Sequence, residues 1–81
     1  MKIAWKDRAK AQLRAIEQPT ALRLLHALAQ FAATGVGDVK HLQDIKPPEY
    51  RLRVGDYRLR FRMDADSIEV TAVRHRREVY R

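Results

Sequence analysis

Arginine recurs at every second position of Tyr50-Arg51-Leu52-Arg53-Val54-Gly55-Asp56-Tyr57-Arg58-Leu59-Arg60-Phe61-Arg62-Met63, on both sides of a Gly-Asp pair. A guanidinium presents forked donors that match phosphate oxygens, so a row of them suits a bound polyanion. Groups able to move a proton stand nearer the C-terminus, in His75-Arg76-Arg77-Glu78-Val79-Tyr80-Arg81. Histidine is the side chain whose charge ordinarily changes near neutral pH. Arg76 and Tyr80 are four residues apart, so one helical turn would present both on one side.

The alternation requires a strand pair to position it. Successive strand side chains point to opposite faces, and Gly-X is a hairpin turn signal. A turn at Gly55-Asp56 sets Val54 against Tyr57, Arg53 against Arg58, Leu52 against Leu59, Arg51 against Arg60 and Tyr50 against Phe61. A one-residue slip would set leucines against arginines and is disfavoured, because one face must be buried. One face is then apolar, with Tyr50, Tyr57 and Phe61 in the core, and the other is arginine. Like charges directly opposite each other destabilise a hairpin, which a bound polyanion would offset.

Asp64 to Ser67 reads as the next turn, a role that also accounts for Asp64 and Asp66. Ile68, Val70 and Ala72 then alternate with Glu69, Thr71 and Val73. Simple pairing sets Phe61 against Val70, Leu59 against Ala72, Arg62 against Glu69 and Arg58 beside Val73. Glu69 would neutralise the Arg62 end, while Arg53 and Arg58 would lack an acid opposite. The same parity places His75 on the arginine face near Arg53 and Arg58.

Upstream, Lys2 to Trp5 reads as a short strand with Ile3 and Trp5 on one side. Asp7 is a candidate cap for a first helix carrying Ala9, Leu13 and Ile16. Pro19 fits the opening turn of a second helix, whose apolar stripe is Ala21, Leu24, Leu25, Leu28, Phe31 and Ala32, and which Gly35 and Gly37 stop. Residues 36–49 read mostly as connection, with Val39 and Leu42 dipping into the core. The expected architecture is α+β: an N-terminal strand and a two-helix hairpin packed on one face of a twisted antiparallel sheet, one domain spanning residues 1–81.

Composition narrows the function classes. The 81 residues contain no cysteine, which excludes disulfides and thiolate chemistry. His26, His41 and His75 lack ligand spacing, so no metal is expected, and no motif calls for a cofactor. A net charge of +7 points toward nucleic acid, an acidic protein partner or an anionic membrane. The Leu24–Ala33 region is broken by His26 and Gln30 and is too short to span a bilayer. The N-terminus does not read as a signal peptide, so a cytoplasmic protein is expected. Residues 1–48 hold eight Lys/Arg and four Asp/Glu, and residues 49–81 nine and six. With charge so evenly spread, folding must create any basic patch.

The short first strand, the helical hairpin, Gly-Asp-Val-Lys-His-Leu (37–42), Tyr-Arg-Leu-Arg-Val-Gly-Asp-Tyr-Arg (50–58) and His-Arg-Arg-Glu-Val-Tyr-Arg (75–81) together resemble the RelE/ParE toxin superfamily, its RelE branch most closely. The resemblance covers essentially the whole chain. It implies the toxin of a type II toxin–antitoxin system, a metal-independent, ribosome-dependent endoribonuclease that cleaves mRNA and halts translation. Its implied partners are a cognate antitoxin, the ribosome and mRNA. The family's basic strand positions fall on Arg51 and Arg53, its hairpin arginine on Arg58, its late arginine on Arg76 and its C-terminal tyrosine on Tyr80. His75 matches a His-Arg pair found in many relatives.

Cleavage of RNA without metal requires that the 2′-hydroxyl lose a proton, that phosphorane charge be stabilised and that the 5′-oxygen be protonated. Well-known relatives carry lysine at the Arg51 and Arg53 positions; arginine stays protonated and cannot act as a base. The expected division is Arg58 and Arg76 stabilising charge, Arg51, Arg53 and Arg60 binding RNA, and Tyr80 and His75 handling protons or stacking on a base. A neighbouring arginine cluster would favour the Tyr80 phenolate. The resemblance leaves two alternatives, a ParE-like inhibitor of DNA gyrase and a catalytically inactive RNA-binding relative.

Overall fold

A computed structural model describes the backbone of residues 1–79 and the side chains through Arg77. Five strands and three helices follow one another as β1 (Lys2–Trp5), α1 (Asp7–Arg14), α2 (Gln18–Thr34), β2 (Asp38–His41), β3 (Tyr50–Val54), β4 (Tyr57–Met63), β5 (Ser67–His75) and α3 (Arg76–Val79). The strands form one sheet in the order β1-β5-β4-β3-β2. β1 runs parallel to β5 and every other pair is antiparallel, so the sheet is mixed rather than purely antiparallel.

The β3–β4 hairpin has the register expected from its alternation, from Tyr50 opposite Phe61 to Val54 opposite Tyr57. Gly55 holds the turn at φ 58°, a left-handed conformation that glycine adopts without Cβ strain. The apolar face of the sheet meets both helices, α1 lying against β5 and α2 against β3. Leu24 and Leu28 of α2 and Ala9 of α1 join Leu52, Leu59, Phe61, Ile68, Val70 and Val73 in one buried cluster. Each large aliphatic or aromatic side chain so buried contributes roughly 1.5–3 kcal/mol. Tyr50 stacks on Phe61 at 5.6 Å between ring centroids, and Trp5 and Tyr57 pack against the same core.

Three local expectations are corrected. Asp7 is the first residue of α1; Lys6 occupies the cap position without a side-chain hydrogen bond. Leu25 stays exposed, because α2 turns only a narrow stripe to the sheet. Residues 38–41 are an edge strand, Asp38 opposite Arg53 and Lys40 opposite Arg51, with Val39 facing the core beside Leu52.

The pairing of β4 with β5 carries the largest correction. Phe61 faces Val70 and Arg62 faces Glu69 as expected, but Arg60 faces Ala72 and Leu59 faces Val73. Thr71 is the extra residue of a β-bulge, and beyond it every side chain changes face relative to simple alternation. Burial explains the choice. Unbroken alternation would put Val73 among the arginines, whereas the bulge buries it, 4% exposed, beside Leu59. Helix α1 satisfies the backbone groups around the bulge: the Arg8 guanidinium donates to the Thr71 carbonyl at 3.2–3.3 Å, and the Val73 amide donates to Gln12 Oε1 at 2.7 Å.

Candidate functional site

The polar face of the sheet gathers its charges in rows across the strands. One row runs Asp38, Arg53, Arg58, Arg74 and the next Lys40, Arg51, Arg60, Ala72. Arg74 enters the first row only because of the bulge, which also corrects the expected Arg58–Val73 neighbourhood. Three arginines therefore stand side by side on adjacent strands at the end of the sheet that carries the β3–β4 turn.

The acids on this face are distributed differently from the expectation. Asp38 lies opposite Arg53 and approaches Arg51 Nη1 at 4.0 Å, with 62% of its side chain exposed. Glu69 is the cross-strand neighbour of Arg62, yet its carboxylate lies 4.0 Å from Lys6 Nζ. The acid that meets the far arginines is Glu49, whose side chain is only 12% exposed. Its Oε1 lies 3.5 Å from Arg60 Nε and its Oε2 3.9 Å from Arg62 Nη2. The Thr71 hydroxyl of the bulge lies 3.1 Å from Glu49 Oε1, to which it donates. Sequence reading missed Glu49, although it stands in phase with Arg51 and Arg53. It also missed Asp38, whose Asp-Val-Lys alternation is short.

His75 is not on the arginine face. It lies opposite Tyr57, on the helix side of the sheet, and the two rings meet edge to face at 5.0 Å and 83°. The bulge is the cause, since one extra residue reverses the parity that would have turned His75 toward Arg53 and Arg58. Its Nδ1 accepts a 3.1 Å hydrogen bond from the Arg77 amide, which orients the ring at the start of α3.

The chain after β5 does reach the hairpin turn. The Arg76 amide donates to the Asp56 carbonyl at 2.6 Å, and Asp56, His75, Arg76 and Arg77 line a recess there. The structure thus brings Arg51, Arg53, Arg58 and Arg60 onto one face and tethers Arg76 to the turn at its end. Tyr80 lies outside the described residues. Among the described residues no group of three or more His, Asp or Glu could hold a metal ion. Among the described residues no helix is long and apolar enough to cross a membrane.

The fold has close parallels among solved toxin structures. A RelB–RelE antitoxin–toxin complex from Methanococcus jannaschii superimposes with a TM-score of 0.77 at 20% identity, covering 95% of this chain and 94% of that one. The YoeB dimer from Staphylococcus aureus gives 0.75 at 14% identity, covering 93% and 95%. The chromosomal ParDE system from P. aeruginosa gives 0.58 at 20% identity, again covering 93% and 95%. No curated protein matches in sequence. At these identities the likeness shows the α+β fold that this chain shares with those toxins. The sequence matches the ParE toxin of type II toxin–antitoxin systems (parDE) over residues 3–80, and the chain belongs to that toxin family.

Proposed function

We propose that this toxin is an endoribonuclease that cuts mRNA on the ribosome in the cytoplasm, and that a cognate antitoxin silences it by covering the arginine face. The observation that carries this reading is the Arg53–Arg58–Arg74 row beside a turn to which Arg76 is tethered. Arg51 and Arg53 hold the strand, and Arg58 and Arg76 take up the charge of the phosphorane. In the reaction the 2′-oxygen bonds to phosphorus as its proton leaves. The bond from phosphorus to the 5′-oxygen breaks, and that oxygen is protonated, leaving a cyclic phosphate. Tyr80 carries the proton transfer, taking the 2′-hydroxyl proton and supplying one to the 5′-oxygen. His75, packed on Tyr57, sets the start of α3.

Inhibition of DNA gyrase is the second reading. Two observations favour it: the matched family is that of ParE, and His75 is turned away from the arginine row. Mapping mRNA 5′ ends after brief induction separates the two. New ends inside codons of translated messages are expected for the nuclease. Trapped DNA breaks with intact messages would replace that reading with gyrase inhibition.

A further inference from the structure

Two of the carboxylates described on the arginine face, Asp38 and Glu49, sit in contrasting settings. Asp38 is largely exposed and 4.0 Å from Arg51, an arrangement that water and salt screen, so a phosphate displaces it readily. Glu49 is enclosed, and its two oxygens are divided between Arg60 and Arg62. Two guanidiniums each facing one oxygen of a shared anion is also how a phosphodiester is held. Thr71 adds a hydroxyl donor from the bulge.

We propose that Glu49 is a built-in counter-anion that occupies the phosphate position between Arg60 and Arg62 and confines RNA to the Arg51, Arg53, Arg58 and Arg74 end of the face. This inference rests on the reading of the face as RNA-binding and sets the boundary of that site. Arg60, expected from sequence among the RNA-binding residues, is engaged by Glu49 instead. Glu49 is a specificity-determining residue: it fixes where the strand stops, and hence which phosphate lies beside Arg58 and the Arg76 turn.

The test is the salt dependence of binding between the antitoxin-free full chain and a short unstructured oligouridine. Each phosphate engaged on a single strand adds about 0.7 to the slope of log K against log salt. Glu49→Gln keeps the shape and an acceptor for Thr71 but removes the charge, so the slope steepens by about 0.7 as one phosphate enters. Arg62→Ala alone leaves the slope unchanged, and Glu49→Gln with Arg62→Ala abolishes the gain. Arg53→Ala with Arg58→Ala flattens the slope if the face binds RNA at all. An unchanged slope in Glu49→Gln overturns the inference while leaving the RNA-binding reading intact. So does a flatter slope in Arg62→Ala, which needs no substitution at Glu49. Absence of binding by both the wild type and Glu49→Gln overturns both readings.

Discussion

Gln12 of α1 accepts a 2.7 Å hydrogen bond from the backbone amide of Val73 in β5, a residue beyond the bulged Thr71. One turn earlier on the same helix, Arg8 caps the Thr71 carbonyl. A bulge breaks a strand ladder, and half-buried backbone groups left without partners are costly. Helix α1 supplies those partners from two positions four residues apart, which share one helix face. The contact therefore helps decide which side chains of β5 join the arginine face.

Gln12→Ala should leave the Val73 amide without this acceptor and destabilise the domain by about 1–3 kcal/mol. Urea unfolding should show a lower midpoint with an unchanged slope, because the surface exposed on unfolding stays the same. A wild-type midpoint would mean that water or the β4 backbone replaces Gln12 without cost.

Arg58→Ala combined with Tyr80→Phe should abolish toxicity. Loss of one preorganised charge-stabilising donor costs about 10²–10³-fold in rate, and removal of a proton-transfer group about 10²–10⁴-fold. The two substitutions should leave antitoxin association largely intact. Growth after induction and co-purification with the antitoxin report the two properties separately. Full killing by the double variant would refute the site assignment.

Asp64 offers a pH dependence with a definite sign. Its carboxylate accepts from the amides of Asp66 and Ser67 and from the Ser67 hydroxyl at 2.8–3.1 Å. These bonds, the Asp66 amide foremost, hold its pKa below the ordinary aspartate value. A depressed folded-state pKa contributes stability above the unfolded value of about 3.9, and that contribution is lost as pH falls through the folded value. Asp64→Ala should therefore be less stable than wild type at neutral pH, with the gap closing below about pH 4. A gap in the urea midpoints that widens on acidification would contradict the assignment.

Most of the fold was legible because alternation and burial agree. Leu52, Leu59 and Phe61 share the buried face in the observed β3–β4 register, and a one-residue slip would set leucines against arginines. The Thr71 bulge was hidden because Ile68, Val70 and Ala72 already make an apolar face by simple alternation. Only the stranding of Val73 among arginines hints that one residue must be skipped. β2 was hidden by its length, since four residues carry little periodicity. Glu49 stands one residue before the run in which arginine alternates with apolar side chains, and only the folded sheet brings its carboxylate to Arg60 and Arg62.

The bulge also decides what to expect of His75. With its ring edge-on to Tyr57 and its Nδ1 accepting from the Arg77 amide, His75 is built into the junction between β5 and α3. His75→Ala should cost about 0.5–1.5 kcal/mol from the lost ring contact. Because α3 is held to the turn through the Arg76 amide and the Asp56 carbonyl, not through the imidazole, cleavage on ribosomes should fall by no more than about tenfold, the equivalent of 1.4 kcal/mol. An acid or base role would instead cost about 10²–10⁴-fold and remove an inflection near neutral pH from the rate profile. Measuring cleavage against pH for the wild type and His75→Ala distinguishes the two. Loss of that inflection would place the proton on His75 and require the substrate to reach around the β3–β4 turn into the recess formed with Asp56, Arg76 and Arg77.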